Sequence, residues 1–145
     1  MPANHILERF YGTWRLVSYE SESETGARHF PLGQDAAGIL IYTREGFMSG
    51  QVMKRGHTSP ADYIAYCGSF HLDLAAGEVV HRVEASLHAK WVGTEQRRRY
   101  RFSGDKLILS TIAHRNGGRV TFRLTWRRAA SPEPSQPSHS TALPD

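Results

Sequence analysis

Four polar side chains fall on strand faces that are otherwise apolar, and they are the residues of this sequence best placed to do chemistry. They are His81, Arg98, Tyr66 and Tyr100. An imidazole can move a proton near neutral pH, a guanidinium can stabilise negative charge that develops on an oxygen, and a phenol can donate a hydrogen bond. Together they predict acid–base chemistry in a shaped cavity.

The placement of these residues rests on the alternation of side chains along a strand. His81 alternates in step with Val79, Val83, Ala85 and Leu87, which predicts that this face lies on the core side. Arg98 lies opposite a charged face that must meet solvent, formed by Glu95, Arg97, Arg99 and Arg101. A guanidinium in an apolar interior needs a partner, and a carboxylate, an enolate or a carbonyl-rich ligand would suit it. Two structural interpretations stay open: Arg98 bonds backbone carbonyls at a barrel mouth, and His81 is a satisfied core histidine.

Aromatic and aliphatic residues on the same inward faces predict the wall of a small-molecule pocket. Such a wall could hold a flexible molecule folded for ring closure, which removes much of the entropic barrier. The predicted ligand-binding residues are Trp14, Tyr42, Met48, Phe70, Gln96, Phe122 and Trp126.

The elements that must position these residues are short strands separated by glycine-containing turns. Glycine and asparagine tolerate positive φ, which is typical of antiparallel hairpins. Eight sequential strands predict an all-β antiparallel barrel, because closure removes exposed edges and leaves an interior that can hold one small ligand. The strand-like runs lie near residues 12–20, 37–43, 46–53, 65–73, 78–87, 94–103, 106–112 and 119–128.

Three segments depart from this rhythm. Residues 5–11 carry an i, i+4 apolar stripe after Asn4, a capping residue, which predicts a short helix packed on the end of the barrel. Residues 59–62 read as a capped helical turn with proline at its first position. The chain is therefore expected to comprise a barrel domain, 1–128, and a disordered tail rich in proline and serine, 129–145.

Composition and motifs disfavour several classes of protein. The single cysteine, Cys67, allows no intramolecular disulfide, and the apolar runs are far shorter than the roughly 20 residues that span a bilayer. Because the first residues do not resemble a secretory signal, we expect a cytoplasmic protein. The sequence has no glycine-rich phosphate loop, no His-Glu-x-x-His or Cys-x-x-Cys metal motif and no Gly-x-Ser-x-Gly nucleophile elbow. We therefore expect no cofactor and no metal.

Several segments resemble one family. Gly12-Thr13-Trp14 is similar to the Gly-x-Trp opening of lipocalin-type barrels. The segments 38–43, 66–70, 80–86 and 91–96 are similar to the lipocalin-like domain family of bacteria and fungi. The resemblance implies a lipocalin-like β-barrel. Similar small barrels act in specialised metabolism, where they bind polyketide- or terpenoid-like molecules and some catalyse cyclisation or isomerisation without a cofactor.

Three functions follow as hypotheses. The first is a cofactor-independent cyclase or isomerase of specialised-metabolite biosynthesis, including polyketide biosynthesis, and the second is a non-catalytic carrier. The third is a nucleic-acid-binding barrel, suggested by the basic run 97–101, although Tyr100 and Phe102 lie opposite its arginine face and the net charge is only +4. We expect a small-molecule ligand, no nucleic acid and no membrane partner, and a homodimer is one assembly the sequence allows.

Overall fold

The computed structural model describes residues 2–56 and 59–130. A helix, α1 (Pro2–Phe10), precedes the strands of one sheet. Single 3₁₀ turns span Pro60–Asp62 and Ala89–Trp91. In this part of the chain the strands are β1 (Gly12–Ser23), β2 (Arg28–His29), β3 (Ala37–Tyr42), β4 (Phe47–Met53), β5 (Tyr63–Asp73), β6 (Glu78–Ser86), β7 (Glu95–Ser103), β8 (Lys106–Arg115) and β9 (Gly118–Arg128).

The sheet closes into an eight-stranded antiparallel barrel. Strands β3 to β9 pair in sequence order, and β1 pairs with β3 through residues 12–15 and with β9 through residues 14–23. The two-residue strand β2 extends the sheet beside β1 only at residues 21 and 22. Closure leaves no long unpaired edge in the sheet that residues 2–56 and 59–130 form. The predicted eight-stranded barrel is confirmed, as is the turn at residues 59–62, where the Ser59 hydroxyl accepts from the Ala61 N–H.

One β-bulge inverts the faces within β6. The pairing of β5 with β6 shifts by one residue at Gly68, which leaves Glu84 as an extra residue in β6. A Cβ on Gly68 would lie 1.8 Å from the carbonyl oxygen of Arg82, so only glycine allows this close approach. Strict alternation predicts Ala85 and Leu87 on the core face with His81, and this is wrong. Both residues are exposed because the bulge reverses the alternation beyond Val83.

A second bulge lies in β1, where the pairing with β9 shifts between Leu16 and Ser18. The extra residue is Val17, which is 39% exposed. Before the bulge Trp14 points inward and is buried, and beyond it Tyr19 faces the interior. The bulge therefore adds an inward-facing tyrosine that strict alternation from Trp14 would place outside.

Helix α1 closes one end of the barrel, as predicted. Its last residue, Phe10, is completely buried, and its ring makes edge-to-face contacts with three inward-facing aromatic rings. The Trp14 indole donates to the Phe10 carbonyl oxygen at 2.9 Å, and the Arg128 guanidinium, stacked 3.9 Å above the Trp14 ring, donates to the Arg9 carbonyl at 2.6 Å. These contacts satisfy carbonyls that a helix leaves free at its C-terminal end. The helix begins at Pro2, so the prediction that Asn4 is its cap is wrong.

Two other expectations concern the ends of the chain and the membrane. The predicted disordered tail, 129–145, lies outside the described residues from residue 131 onward, so the division of the chain at residue 128 stays a prediction. None of the helices within residues 2–56 and 59–130 has the length and hydrophobicity that a membrane-spanning helix requires.

Candidate functional site

The barrel interior beyond the aromatic layer around Phe10 contains a cavity of about 260 Å³. Pockets for drug-sized ligands commonly span about 300 to 1,000 Å³, so this cavity suits a molecule with a single ring and short substituents. Most of the wall is aliphatic or aromatic. Among its lining residues in the described chain there is no aspartate or glutamate. The polar members are Tyr19, Gln51, Tyr66, His81, Arg98, Thr111 and Arg115.

Six of the eleven predicted site residues line this cavity: Met48, Tyr66, His81, Arg98, Phe122 and Trp126. The other five lie beside or beneath it. Trp14, Tyr42 and Phe70 belong to the buried core that packs against α1. The Tyr100 ring lies 5.2 Å from the Phe10 ring, in the same aromatic layer. Gln96 contacts Arg98 rather than the cavity. The catalytic and binding roles of all eleven stay predictions.

His81 lies between two tyrosines that come from different strands. The Tyr42 hydroxyl on β3 lies 2.6 Å from His81 Nε2, and the Tyr66 hydroxyl on β5 lies 2.7 Å from His81 Nδ1. The histidine is 2% exposed and Tyr42 is 1% exposed, whereas Tyr66 forms part of the cavity wall. Both ring nitrogens of the histidine are therefore occupied by hydrogen bonds within the protein.

Burial controls the ionisation of this cluster. Burial, and to a lesser extent the positive charge of Arg98, lower the pKa of the His81 imidazole to about 3. Burial raises the pKa of Tyr42 well above its ordinary value, and it also raises the pKa of Tyr66, while Arg98 opposes both changes. At neutral pH the cluster is accordingly one neutral imidazole between two neutral phenols.

Arg98 supplies positive charge to the cavity wall. One guanidinium nitrogen donates to the backbone carbonyl of Arg97 at 2.8 Å, and another donates to Gln96 Oε1 at 3.2 Å. The Gln96 amide in turn donates to the Thr94 hydroxyl at 3.1 Å, so the side chain that contacts Arg98 is itself held. Within the described residues, the ion pairs involve other arginines and not Arg98. A guanidinium without a carboxylate partner suits an anionic or carbonyl oxygen of a ligand.

Several lining residues escape prediction from the sequence. Tyr19 reaches the cavity only because of the bulge at Val17. Trp91 belongs to the 3₁₀ turn before β7 and stands perpendicular to the Tyr66 ring at 6.0 Å. Arg115, the last residue of β8, lies over the Phe122 ring at 5.4 Å. Strand alternation carries no information on a turn residue or on the end of a strand, although an aromatic residue in a turn is itself a weak signal.

Two further observations describe the chemistry of the wall. The indole N–H of Trp126 is buried and has no hydrogen-bond partner among the described residues. In native proteins such an unpaired donor is uncommon. In the same part of the chain, no group of three histidine, cysteine, aspartate or glutamate side chains is placed to hold a metal ion.

A closed eight-stranded antiparallel barrel, sealed at one end by a helix and holding a small cavity, defines a lipocalin-like protein. The family described as "lipocalin-like domain" matches residues 11–62 and 57–129, and the chain belongs to this family. Over 74 residues the chain is 39% identical to the 4'-hydroxy-3'-methoxypropiophenone carrier protein ppsC of Aspergillus oryzae. That match covers 46% of this chain and 67% of the Aspergillus protein.

Proposed function

We propose that this protein is a carrier that binds a small aromatic molecule bearing oxygen substituents inside its barrel and releases it unchanged. The observation that carries the proposal is the state of His81. Both of its ring nitrogens are hydrogen bonded to tyrosines, and the pKa of its imidazole lies near 3. A general base works best when its pKa lies near the operating pH, so this histidine is poorly suited to take a proton from a substrate.

Two features support the ligand class. The cavity of about 260 Å³ suits a one-ring molecule. Its described lining residues include Arg98 and Arg115 and no acidic side chain, which suits electron-rich oxygens. The Aspergillus relative is named as a carrier of an aryl ketone that also bears phenol and methoxy oxygens. We therefore use 4'-hydroxy-3'-methoxypropiophenone as the probe.

The binding test compares two arginines on opposite faces of β7. Calorimetric titration of the wild type with 4'-hydroxy-3'-methoxypropiophenone is expected to give saturable one-to-one binding. Arg98→Met should weaken it by about 10- to 100-fold, since a hydrogen bond to a charged group contributes about 1.5–3 kcal/mol. Arg99→Met, which alters an exposed residue, should bind as the wild type does. Lack of binding by the wild type, or equal weakening by both variants, would contradict the proposal.

Catalysis by a cyclase or isomerase is the second candidate function, and the state of the Arg98 guanidinium favours it. A guanidinium without a carboxylate partner, beside the neutral phenol of Tyr66, could stabilise an enolate as it forms. The two candidates differ in the fate of the ligand. After prolonged incubation, a carrier returns the probe unchanged by chromatography and mass spectrometry. A product of equal mass and different retention, formed by the wild type and not by Arg98→Met, would establish an isomerase instead.

A further inference from the structure

The hydrogen bonds of the tyrosine–histidine cluster have a direction that can be worked out from the supply of donors and acceptors. A neutral imidazole carries one N–H donor and one acceptor nitrogen, and each phenol carries one proton to donate. Tyr42 and Tyr66 occupy the two nitrogens of His81, so one tyrosine donates to the ring and the other accepts from it.

The environment of Tyr42 determines which tyrosine donates to His81 and which accepts from it. Its side chain is 1% exposed, and within the described chain the single hydrogen-bond partner of its hydroxyl is His81 Nε2. If Nε2 carried the proton, the Tyr42 O–H would be buried without an acceptor, and nothing would then compensate for its loss of hydration. Tyr42 therefore donates to Nε2, and the proton of the neutral imidazole resides on Nδ1.

This direction determines which hydrogen bonds the Tyr66 hydroxyl can make. Its oxygen accepts from Nδ1–H, so its own O–H proton has no acceptor among the described residues. Tyr66 lines the cavity, as does Trp126, whose buried indole N–H likewise lacks a partner. Arg98, also in the wall, adds positive charge. The wall thus offers two unpaired donors and a positive charge, which an occupant with unprotonated oxygen atoms can satisfy.

We propose that Tyr66 donates the hydrogen bond that recognises a carbonyl or anionic oxygen of the ligand, and that Tyr42 acts through His81 as a positioning residue that fixes this direction. This inference rests on the proposed function and names the ligand class more closely. Aryl ketones and aryl carboxylates are favoured over alkylphenols of the same shape. Tyr66 would then select ligands by the acceptor group they carry.

The direction of the hydrogen bonds can be tested without any ligand. Long-range ¹H–¹⁵N correlation spectra of the wild type report which imidazole nitrogen is protonated, and the signals of His81 are assigned by their loss in His81→Gln. We expect the Nδ1–H tautomer at pH 7. In Tyr42→Phe, which lacks the donor to Nε2, the preference for this tautomer should decrease. Observation of the Nε2–H tautomer in the wild type would overturn the proposed direction.

The donor role is tested with two ligands that differ in one carbonyl group, 4'-hydroxy-3'-methoxypropiophenone and 2-methoxy-4-propylphenol. The wild type should bind the ketone about tenfold or more tightly than the deoxygenated compound. Tyr66→Phe should bring the two affinities within about twofold of each other, chiefly by weakening the ketone. Tyr11→Phe is the matched control, because Tyr11 lies next to Phe70 at the helical end of the barrel. It should keep the wild-type preference.

The outcomes separate the two proposals. If both compounds bind and Tyr66→Phe keeps the preference for the ketone, the donor role is wrong and the carrier function stands. If the wild type binds neither compound, the carrier function fails and the donor role fails with it, while the tautomer spectra still decide the direction of the hydrogen bonds. Thermal unfolding of Tyr66→Phe within a few degrees of the wild type excludes a loss of fold as the cause.

Discussion

Burial makes His81 poorly suited to proton transfer at neutral pH, and its two ring nitrogens instead hold the hydroxyls of Tyr42 and Tyr66. The imidazole is 2% exposed and lies between two phenols, and its pKa is lowered to about 3 because the charged form cannot be solvated. The sequence predicts the inward position of His81 correctly from strand alternation. It cannot predict the occupancy of both ring nitrogens, because the two tyrosines come from β3 and β5, which only the folded barrel brings together.

The lowered pKa of His81 predicts how stability depends on pH. In the unfolded chain the imidazole titrates near pH 6.5, whereas in the folded protein it stays neutral down to about pH 3. The unfolded state therefore binds an additional proton between these values. The stabilising contribution is fully present above pH 6.5 and decreases as the pH falls, by about 1.4 kcal/mol per pH unit well below 6.5.

This dependence is measurable by urea unfolding of the wild type and His81→Gln at pH 7, 6, 5 and 4. The two proteins differ only at residue 81, so the difference between their free energies of unfolding isolates the contribution of His81. We expect that difference to shrink in the acid range, with the wild type losing stability more steeply. Parallel pH profiles would mean that His81 is accessible to protons in the folded barrel.

At the scale of elements, the sequence predicts the pattern of strands well and their irregularities poorly. Hairpin glycines and alternating apolar residues mark all eight barrel strands. The bulges at Val17 and Glu84 leave no comparable signal in the sequence. The bulge at Val17 arises where β1 pairs with β9, a strand distant in sequence, and the bulge at Glu84 arises from the close contact at Gly68. The extra residue in β1 is enough to bring Tyr19 into the cavity, and the extra residue in β6 is enough to expose Leu87.

Phe10 is the residue of helix α1 that packs most deeply into the barrel, and Ile6 and Leu7 pack against the same core. Phe10 is completely buried among Tyr42, Tyr100 and Phe102, at ring distances of 5.0 to 5.3 Å. A helix this short is unstable alone, so its stability comes from packing. Phe10→Ala should lower the free energy of unfolding by about 3–5 kcal/mol, the usual range for truncating a buried phenylalanine.

Urea unfolding followed by circular dichroism measures this loss, and His5→Ala, which alters an exposed residue of the same helix, is the control. The control should change the free energy of unfolding by less than about 0.5 kcal/mol. If both substitutions have equally small effects, α1 is not an integral part of the barrel end.

For the whole molecule, closure makes the barrel one structural unit. Strand β1 joins β3 at one of its ends and β9 along most of its length, and every other barrel strand pairs with both neighbours. The cavity wall takes residues from strands on all sides of this ring. A ligand that binds there consequently stabilises the complete fold relative to the unfolded chain, and the effect should extend to α1 at the closed end.

This linkage predicts, for the proposed carrier function, how far a bound ligand raises the free energy of unfolding. With the propiophenone probe at about 100 times its Kd, the free energy of unfolding should rise by about 2.7 kcal/mol. At the same ligand concentration, a variant that binds tenfold more weakly, as expected for Arg98→Met, should gain only about 1.4 kcal/mol, and Arg99→Met should match the wild type. The measurement is urea unfolding followed in parallel by far- and near-ultraviolet circular dichroism. Because binding and folding are coupled through one closed sheet, the unfolding midpoints from the two signals should shift together. A shift confined to the aromatic near-ultraviolet signal would show that the ligand orders only the cavity wall and that the barrel does not unfold as one unit.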